Sequence, residues 1–222
     1  MFYLVFDFET TGITGGSPNN FPVQLACQLI TETGTIIESF QTVIRGAKKL
    51  SDWTIKNCPH ITIEKCMNEG IDIIEVLEKI STIIGDMECT LVAHNLEYDW
   101  DTVLLPIIKE HELENNKHFK KIAQLERKCT MLDDTHGLKY FHPRFKKYCG
   151  PKLCALAKRY HIDFDEKKAH DAMYDVDITR KCLSCILKDS TSKRKNDYLK
   201  TYSNKKSRYL EEAHGDPQLQ PA

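Results

Sequence analysis

Three short segments of this sequence gather groups able to bind cations and move protons. The first is Asp7-Phe8-Glu9, at the end of the apolar run Phe2–Phe8. On a strand, residues i and i+2 share a face, so both carboxylates point one way while Phe6 and Phe8 point into the core. Neighbouring carboxylates repel and have raised pKa values unless a cation lies between them, and hard divalent ions such as Mg²⁺ prefer oxygen ligands. Alone, the pair fits equally a strand ending in two solvated acids. The second segment, His94-Asn95-Leu96-Glu97-Tyr98-Asp99, leaves an apolar stretch and enters a helical pattern. The third, His170-Asp171-Ala172-Met173-Tyr174-Asp175, opens the last helical pattern, with His170 and Asp175 on adjacent turns. A histidine at a helix start is wet and has room to move, as a general base needs. Taken alone, this spacing also describes two surface residues of a helix.

In this order, the three segments resemble the DEDDh exonucleases, the DnaQ-like group of the ribonuclease-H-like fold that includes polymerase proofreading subunits. The first motif is similar to Asp7-Phe8-Glu9-Thr10-Thr11-Gly12, the second to His94-Asn95 with Tyr98-Asp99, and the third to Ala169-His170-Asp171-Ala172 with Asp175. Pro59-His60-Ile61-Thr62 also resembles a family segment between the first two. The resemblance runs from residue 2 to about residue 187. One branch of the family has a tyrosine four residues before the last Asp. Here that place is Asp171, and His170 stands five before Asp175, as in the histidine branch.

The resemblance implies 3′→5′ hydrolysis of phosphodiester bonds with release of 5′-nucleotides. Two Mg²⁺ ions about 3.5–4 Å apart would serve it, with Mn²⁺ able to substitute. It implies Asp7, Glu9 and Asp175 as ligands of one ion, Asp7 and Asp99 serving the second, and His170 as general base. Thr10, Thr11 and Gly12 would approach the terminal nucleotide. Asn95 would contact substrate or hold the second-motif turn. The implied substrate is nucleic acid with a free 3′ end. DNA is the leading expectation, RNA the alternative within the family, and an inactive nucleic-acid-binding module a third reading. A polymerase or repair partner acting in trans is also expected.

The elements that must position these residues follow from apolar periodicity. Strands are expected over 2–8, 23–30 and 35–44, with Gly34 turning the last two into a hairpin, and a fourth over 89–94. Helices are expected over 62–69, opened by Thr62, and over 71–85 with Ile74, Leu77, Ile80 and Ile84 inward. Others are expected over 98–112, complicated by Pro106, over 151–160 with Pro151 in the first turn, and over 171–187. Residues 115–150 read as polar and irregular. The pattern predicts an α/β domain over 1–187, a single domain with a mixed β-sheet flanked by helices. A basic, polar extension over 188–222, partly disordered, would follow it. Asp101 and Asp177 are expected to be solvated helix positions.

Bulk properties set the remaining bounds. Of 222 residues, 41% are hydrophobic and 28% charged, as in ordinary globular proteins. No apolar run reaches the roughly 20 residues of a membrane helix. The apolar start is short, lacks a basic leader and meets Asp7 and Glu9, so it reads as a buried strand and not as a signal peptide. The 9 cysteines sit mostly alone in apolar stretches, and Cys182 and Cys185 lie within a helical pattern, so an intracellular, cytoplasmic or nuclear place is expected. The net charge of −1 conceals a division: residues 1–116 carry 7 Lys and Arg against 18 Asp and Glu, and the remainder 24 against 14. One half suits metals and the other a polyanion. Phe21, Tyr140, Phe141, Phe145 and Tyr148, the last four interleaved with Lys139, Arg144, Lys146 and Lys147, suit single-stranded nucleic acid or a satellite core. The basic run Lys193–Arg208 suits a polyanion tether or a solubilising extension.

Overall fold

The computed structural model describes residues 1–12, 20–142 and 147–191, with the side chains of 140–142, 147, 148 and 191 excepted. Tyr140, Phe141, Arg144, Phe145, Lys146, Lys147, Tyr148 and the run Lys193–Arg208 therefore lie, as side chains, outside the described residues. Residues Met1–Ile186 form one compact unit.

The centre of the fold is β1 (Phe2–Thr10). It pairs antiparallel with β2 (Pro22–Thr31), which pairs antiparallel with β3 (Ile36–Val43). On its other side β1 runs parallel to β4 (Cys89–Ala93), which runs parallel to β5 (Glu126–Cys129). The mixed five-stranded sheet has the order β3-β2-β1-β4-β5. Between β3 and β4 lie α1 (Asp52–Asn57), α2 (Ile63–Glu69) and α3 (Ile73–Ile84). After β4 come a π-helical segment (Tyr98–Leu104), α4 (Leu105–Glu110) and α5 (Lys117–Ala123). A 3₁₀ turn (Asp134–His136) and a two-stranded ribbon of β6 (Tyr140–His142) and β7 (Lys147–Cys149) follow β5. The chain then forms α6 (Leu153–Arg159) and α7 (Ala172–Thr191). Among the described residues, no helix is long and apolar enough to cross a membrane.

Strand alternation divides the sheet into two chemically different faces. Leu4, Phe6 and Phe8 of β1 join Leu25, Cys27 and Leu29 of β2 in the main core, under Val76, Leu77, Ile80 and Ile84 of α3. The opposite face carries Asp7 and Glu9, in register with Ala26 and Gln24 of β2. α7 lies on this face: Gln28 Nε2 approaches Met173 Sδ at 3.6 Å, and the Ala172 N–H donates to Gln24 Oε1 at 3.3 Å. At the far end Arg180 donates to the Gly34 carbonyl at 3.1 Å. Gly34 has φ +86°, and a Cβ there would stand 2.2 Å from Ser184 Oγ, so both turn shape and helix approach call for glycine.

Helix starts follow capping chemistry. The side chain of Thr62 accepts from the Lys65 N–H, as expected for the start of α2. Four expectations need correction. The region 115–150 contains α5, β5, the 3₁₀ turn and the ribbon. Helix α1 was absent from the periodic reading, although Ser51 caps it through the Thr54 N–H. The segment 98–112 is a π-helical turn joined to a short α-helix, with Pro106 in the first turn of the latter. Pro151 precedes α6, whose N-cap is Lys152.

In helix α3 the expected Leu77, Ile80 and Ile84 are buried, with Ile73, Val76 and Ile83 beside them, but Ile74 is 47% exposed and not inward. Leu91 of β4 is 1% exposed within the main core. Leu91→Ala is therefore expected to cost about 2–5 kcal/mol in denaturant unfolding. Ile74→Ala should stay within about 0.5 kcal/mol of wild type. Equal losses at both positions would contradict this packing.

Candidate active site

Asp7 and Glu9 reach the end of β1 on its α7-facing side. Because β4 runs parallel beside β1, with Val92 opposite Val5, the chain leaving β4 emerges next to Asp7. Asn95 then adopts φ +69°, and its carbonyl accepts from the Tyr98 N–H at 2.8 Å. Asparagine tolerates this left-handed conformation better than most residues, which explains its place at the turn. The following π-helical turn presents Asp99, whose Oδ1 accepts from the Phe8 N–H at 3.1 Å. Asp99 is 2% exposed and Glu9 6%. His94 faces away from the acids. Its Nε2 donates to the Pro151 carbonyl at 3.1 Å and its Nδ1 lies 3.0 Å from Thr130 Oγ1, so it ties the end of β4 to the segment before α6. Burial pushes its pKa down to about 4, which keeps this strut neutral.

The third side of the site is the start of α7. The Asp171 side chain caps the helix, accepting from the N–H groups of Met173 and Tyr174 at 3.1 and 3.2 Å. Asp175 lies in the first turn, and its Oδ2 accepts from the His170 N–H at 3.1 Å. His170 precedes the helix in a left-handed conformation, φ +68°. Ligand-type atoms of Glu9, His170 and Asp175 all lie within 4.8 Å of one another. Strand end, π-turn and helix start thus bring together Asp7, Glu9, Asp99, His170 and Asp175, which are far apart in sequence. Asp101 is exposed, and Asp177 is held by Arg180 and Lys181 at 2.6 and 2.7 Å, so both lie apart from the cluster.

The electrostatics are those of crowded, dry acids. Burial first, and then the charges of Asp99, Glu9 and Asp175, raise the Asp7 pKa well above the usual carboxylate range. Burial and the Asp175 charge push Glu9 up to about 8, against a hydrogen bond donated by the Cys58 thiol (3.4 Å) that lowers it. Asp99 is pushed up to about 8 and Asp175 to about 6, in each case chiefly by burial. The outer oxygen of Asp175, Oδ1, is buried and accepts no hydrogen bond. A buried carboxylate oxygen without a donor is costly, and a divalent cation removes both that cost and the mutual repulsion. The donor set is hard oxygen, as Mg²⁺ and Mn²⁺ prefer. The residues present fit such ions.

The Thr10-Thr11-Gly12 segment adjoins the acids, but its hydroxyls serve the fold. Thr10 Oγ1 lies 2.6 Å and the Tyr98 hydroxyl 3.0 Å from the Gly12 carbonyl, and the two hydroxyls are 2.9 Å apart. Thr11 Oγ1 accepts from the Phe21 N–H at 3.0 Å. Helix α1 braces the same segment: Ser51 N–H donates to the Thr11 carbonyl at 2.8 Å and the Thr54 hydroxyl to the Thr10 carbonyl at 3.0 Å. Phe21 is partly buried and packs against the core, and a Cβ on Gly46 would meet its ring at 2.6 Å. Helix α1 also supplies Trp53, whose ring stands edge-to-face on His170 with centroids 4.9 Å apart. His170 is consequently half-buried, less wet than a helix-start position suggests. Burial, then the Lys152 charge, lowers its pKa, and the ring is neutral at pH 7. Trp53 and Cys58 escaped the motif reading, although Ser51 before Asp52-Trp53-Thr54 is an N-cap signal for the helix that carries Trp53.

A family model described as Exonuclease matches residues 4–183. The chain belongs to this exonuclease family. It is 29% identical over 192 residues to the PolC-type DNA polymerase III of Bacillus subtilis (strain 168), covering 86% of this chain and 12% of that protein. A Streptococcus pyogenes PolC-type polymerase shows the same identity, with 11% of its length covered. The chain thus spans about an eighth or less of these relatives. Among solved structures, E. coli Exonuclease I with a dT13 oligonucleotide superposes with a TM-score of 0.63 at 18% identity, covering 90% of this chain and 44% of that one. A 3′-exonuclease that recognises the histone mRNA stem-loop superposes with a TM-score of 0.58 at 17% identity, covering 85% and 82%. The fold is the ribonuclease-H-like exonuclease fold, and the family is the DnaQ-like 3′→5′ exonuclease family.

Raised carboxylate pKa values couple the site to stability. Each of the four acids has a folded-state value above its unfolded one near 4, so its contribution is present below pH ~4 and lost as pH rises through the folded values. The ion-free protein should therefore melt at progressively lower temperature from pH 5 to pH 9, and Mg²⁺ should restore more at pH 8 than at pH 5.5. Asp7→Asn should raise the ion-free melting temperature at pH 8. Flat melting temperatures in EDTA across this range would contradict the electrostatic picture.

Proposed function

We propose that the protein is a metal-dependent 3′→5′ exonuclease that shortens DNA, single strands or 3′ ends, and releases 5′-nucleotides. The observation that carries this reading is the convergence of four acidic side chains, Asp7, Glu9, Asp99 and Asp175, with His170, where Oδ1 of Asp175 is buried without a hydrogen-bond partner. In this reading Asp7, Glu9 and Asp175 hold one divalent ion, and Asp7 with Asp99 serves the second. Mg²⁺ is the proposed ion, with Mn²⁺ able to substitute. Such ions, when bound, neutralise phosphoryl charge and ease deprotonation of the attacking water. His170 accepts that proton at a ring nitrogen, and the Trp53 edge restricts the ring to orientations facing Glu9 and Asp175. The Phe8 N–H and the Cys58 thiol hold Asp99 and Glu9 in orientation. The Thr10–Gly12 backbone, braced by α1 and Tyr98, forms the wall against which the terminal nucleotide rests, and the Asn95 turn sets the depth of Asp99.

DNA is favoured because the PolC-type relatives are DNA polymerases and Exonuclease I is seen with an oligothymidylate. The same relatives support a polymerase or repair partner. RNA is the second reading, favoured by the stem-loop 3′-exonuclease, of which the chain covers 82%. Cys27, Cys58, Cys66, Cys89 and Cys182 are buried free thiols, which supports an intracellular place for the protein.

The test is digestion of 5′-labelled single-stranded DNA and RNA, side by side, with Mg²⁺ or EDTA. DNA should shorten stepwise from its 3′ end, with mononucleotides released only when the ion is present. Preferential loss of RNA would transfer the proposal to the second reading. Asp7→Ala and Asp175→Ala should abolish turnover in a folded protein. His170→Ala should lose roughly 10²–10⁴-fold in rate. Near wild-type turnover of His170→Ala at pH 7.5 under single-turnover conditions would remove the general-base assignment.

A further inference from the structure

His170 is held in a conformation that residues with a side chain rarely adopt, φ +68°, and both local and long-range contacts hold it there. Its backbone N–H is anchored on Asp175. The next residue, Asp171, is anchored three ways. One side-chain oxygen, Oδ1, caps α7 through Met173 and Tyr174, and its carbonyl accepts from the Asp175 N–H at 3.0 Å. The other oxygen, Oδ2, lies 3.5 Å from Nε2 of His60, in the segment between α1 and α2. The same Nε2 lies 3.2 Å from Oε1 of Gln24 on β2, and that oxygen also accepts from the Ala172 N–H at 3.3 Å.

The hydrogen-bond logic of this junction is closed. Both partners of His60 Nε2 are acceptors, so Nε2 carries the proton and donates. Gln24 Oε1 receives from His60 and from the first N–H of α7, which fixes the orientation of its amide. The N-terminal N–H groups of α7 are shared between Gln24 and Asp171, so none of Ala172, Met173, Tyr174 and Asp175 is left without an acceptor. His60 is the side chain that joins this cap to the α1–α2 segment, and its polar tip stays partly accessible, so it is not a core residue whose role is packing.

We infer that His60 is a positioning residue for His170: by bridging Gln24 and Asp171 it fixes the turn that precedes α7, and with it the placement of the His170 ring beside Glu9. The inference rests on the reading of His170 as general base. Loss of the bridge leaves Asp171 held only by its own helix, and the left-handed turn at His170 loses its tie to the α1–α2 segment. A shift of the reacting groups by about 1 Å can cost roughly 10²-fold in rate.

The test is a double-mutant cycle on a 5′-labelled oligodeoxynucleotide with Mg²⁺, using His60→Phe, His60→Gln, His170→Ala and the His60→Phe/His170→Ala pair. His60→Phe should lower kcat by roughly 10²-fold with KM unchanged. His60→Gln, which restores a donor at similar reach, should recover most of the rate. In the His170→Ala background His60→Phe should have no further effect, because there is no base left to misplace. An equal loss in both backgrounds, or a wild-type rate for His60→Phe beside a disabled His170→Ala, would overturn the inference and leave the general-base reading standing. A wild-type rate for His170→Ala would remove that reading, and the inference with it. Should His60→Phe melt below the assay temperature, Gln24→Met, which removes the shared acceptor, takes its place in the same cycle with the same expected outcomes.

Discussion

Four crowded carboxyl groups, two of them buried and two half-buried, repel one another, and most of the structure around them can be understood as the framework that holds them there. Asp99 and Glu9 are almost wholly buried, and burial acts with mutual charge to raise the affinity of the cluster for protons. Left to themselves, such side chains would turn toward water. They are kept in place because Asp99 accepts a β1 N–H, Glu9 accepts a thiol hydrogen, and Asp175 accepts the His170 N–H. The rigidity of a five-stranded sheet and of α7 supplies the remainder. A cluster held against its own repulsion is a site poised for cations, since the ions add the one interaction that the protein omits.

The topology explains why this is possible with few residues. β1 is flanked by an antiparallel and a parallel neighbour, so one of its faces meets α3 and the other meets α7. The parallel partner β4 delivers the second-motif turn to the same end of β1 that carries Asp7 and Glu9. Wide turns and left-handed residues occur where these three elements meet: the π-helical turn at Asp99, and positive φ at Asn95 and His170. Irregular backbone of this kind clusters where side chains must be aimed and not merely packed.

The acids and the histidine stood out through the resemblance of three short segments taken in order, each of which alone is ambiguous. Asp7 and Glu9 are two apart on a strong apolar strand, and Asp175 follows His170 across the start of a periodic helix. The β1–β4 strands, α2 and α7 were likewise marked by apolar periodicity. β5 was not, because Glu126-Arg127-Lys128-Cys129 is a polar edge strand recognised only by its pairing with β4. α1 is too short to show a period, and Ile74 misled because the adjacent Ile73 takes the inward place in the first turn of α3. Trp53 and Cys58 meet residues far along the chain, namely His170 and Glu9, and long-range contacts leave no local pattern; the segment around His60 stood out by resemblance, but its contact with Asp171 did not. The hydroxyls of Thr10 and Thr11 show the reverse: their place in the motif was plain, and their engagement by Tyr98, Gly12 and Phe21 was not.

The central claim is that the carboxylate cluster holds protons in place of the divalent ions it is built for. Calorimetric titration of the metal-free protein with Mn²⁺ at pH 6.5, repeated in buffers of different ionisation enthalpy, reads ion binding and proton release together. Saturable binding with net proton release, both lost or sharply reduced in Asp7→Asn, is the predicted result. Absence of binding, or binding without proton release that Asp7→Asn leaves intact, would contradict it.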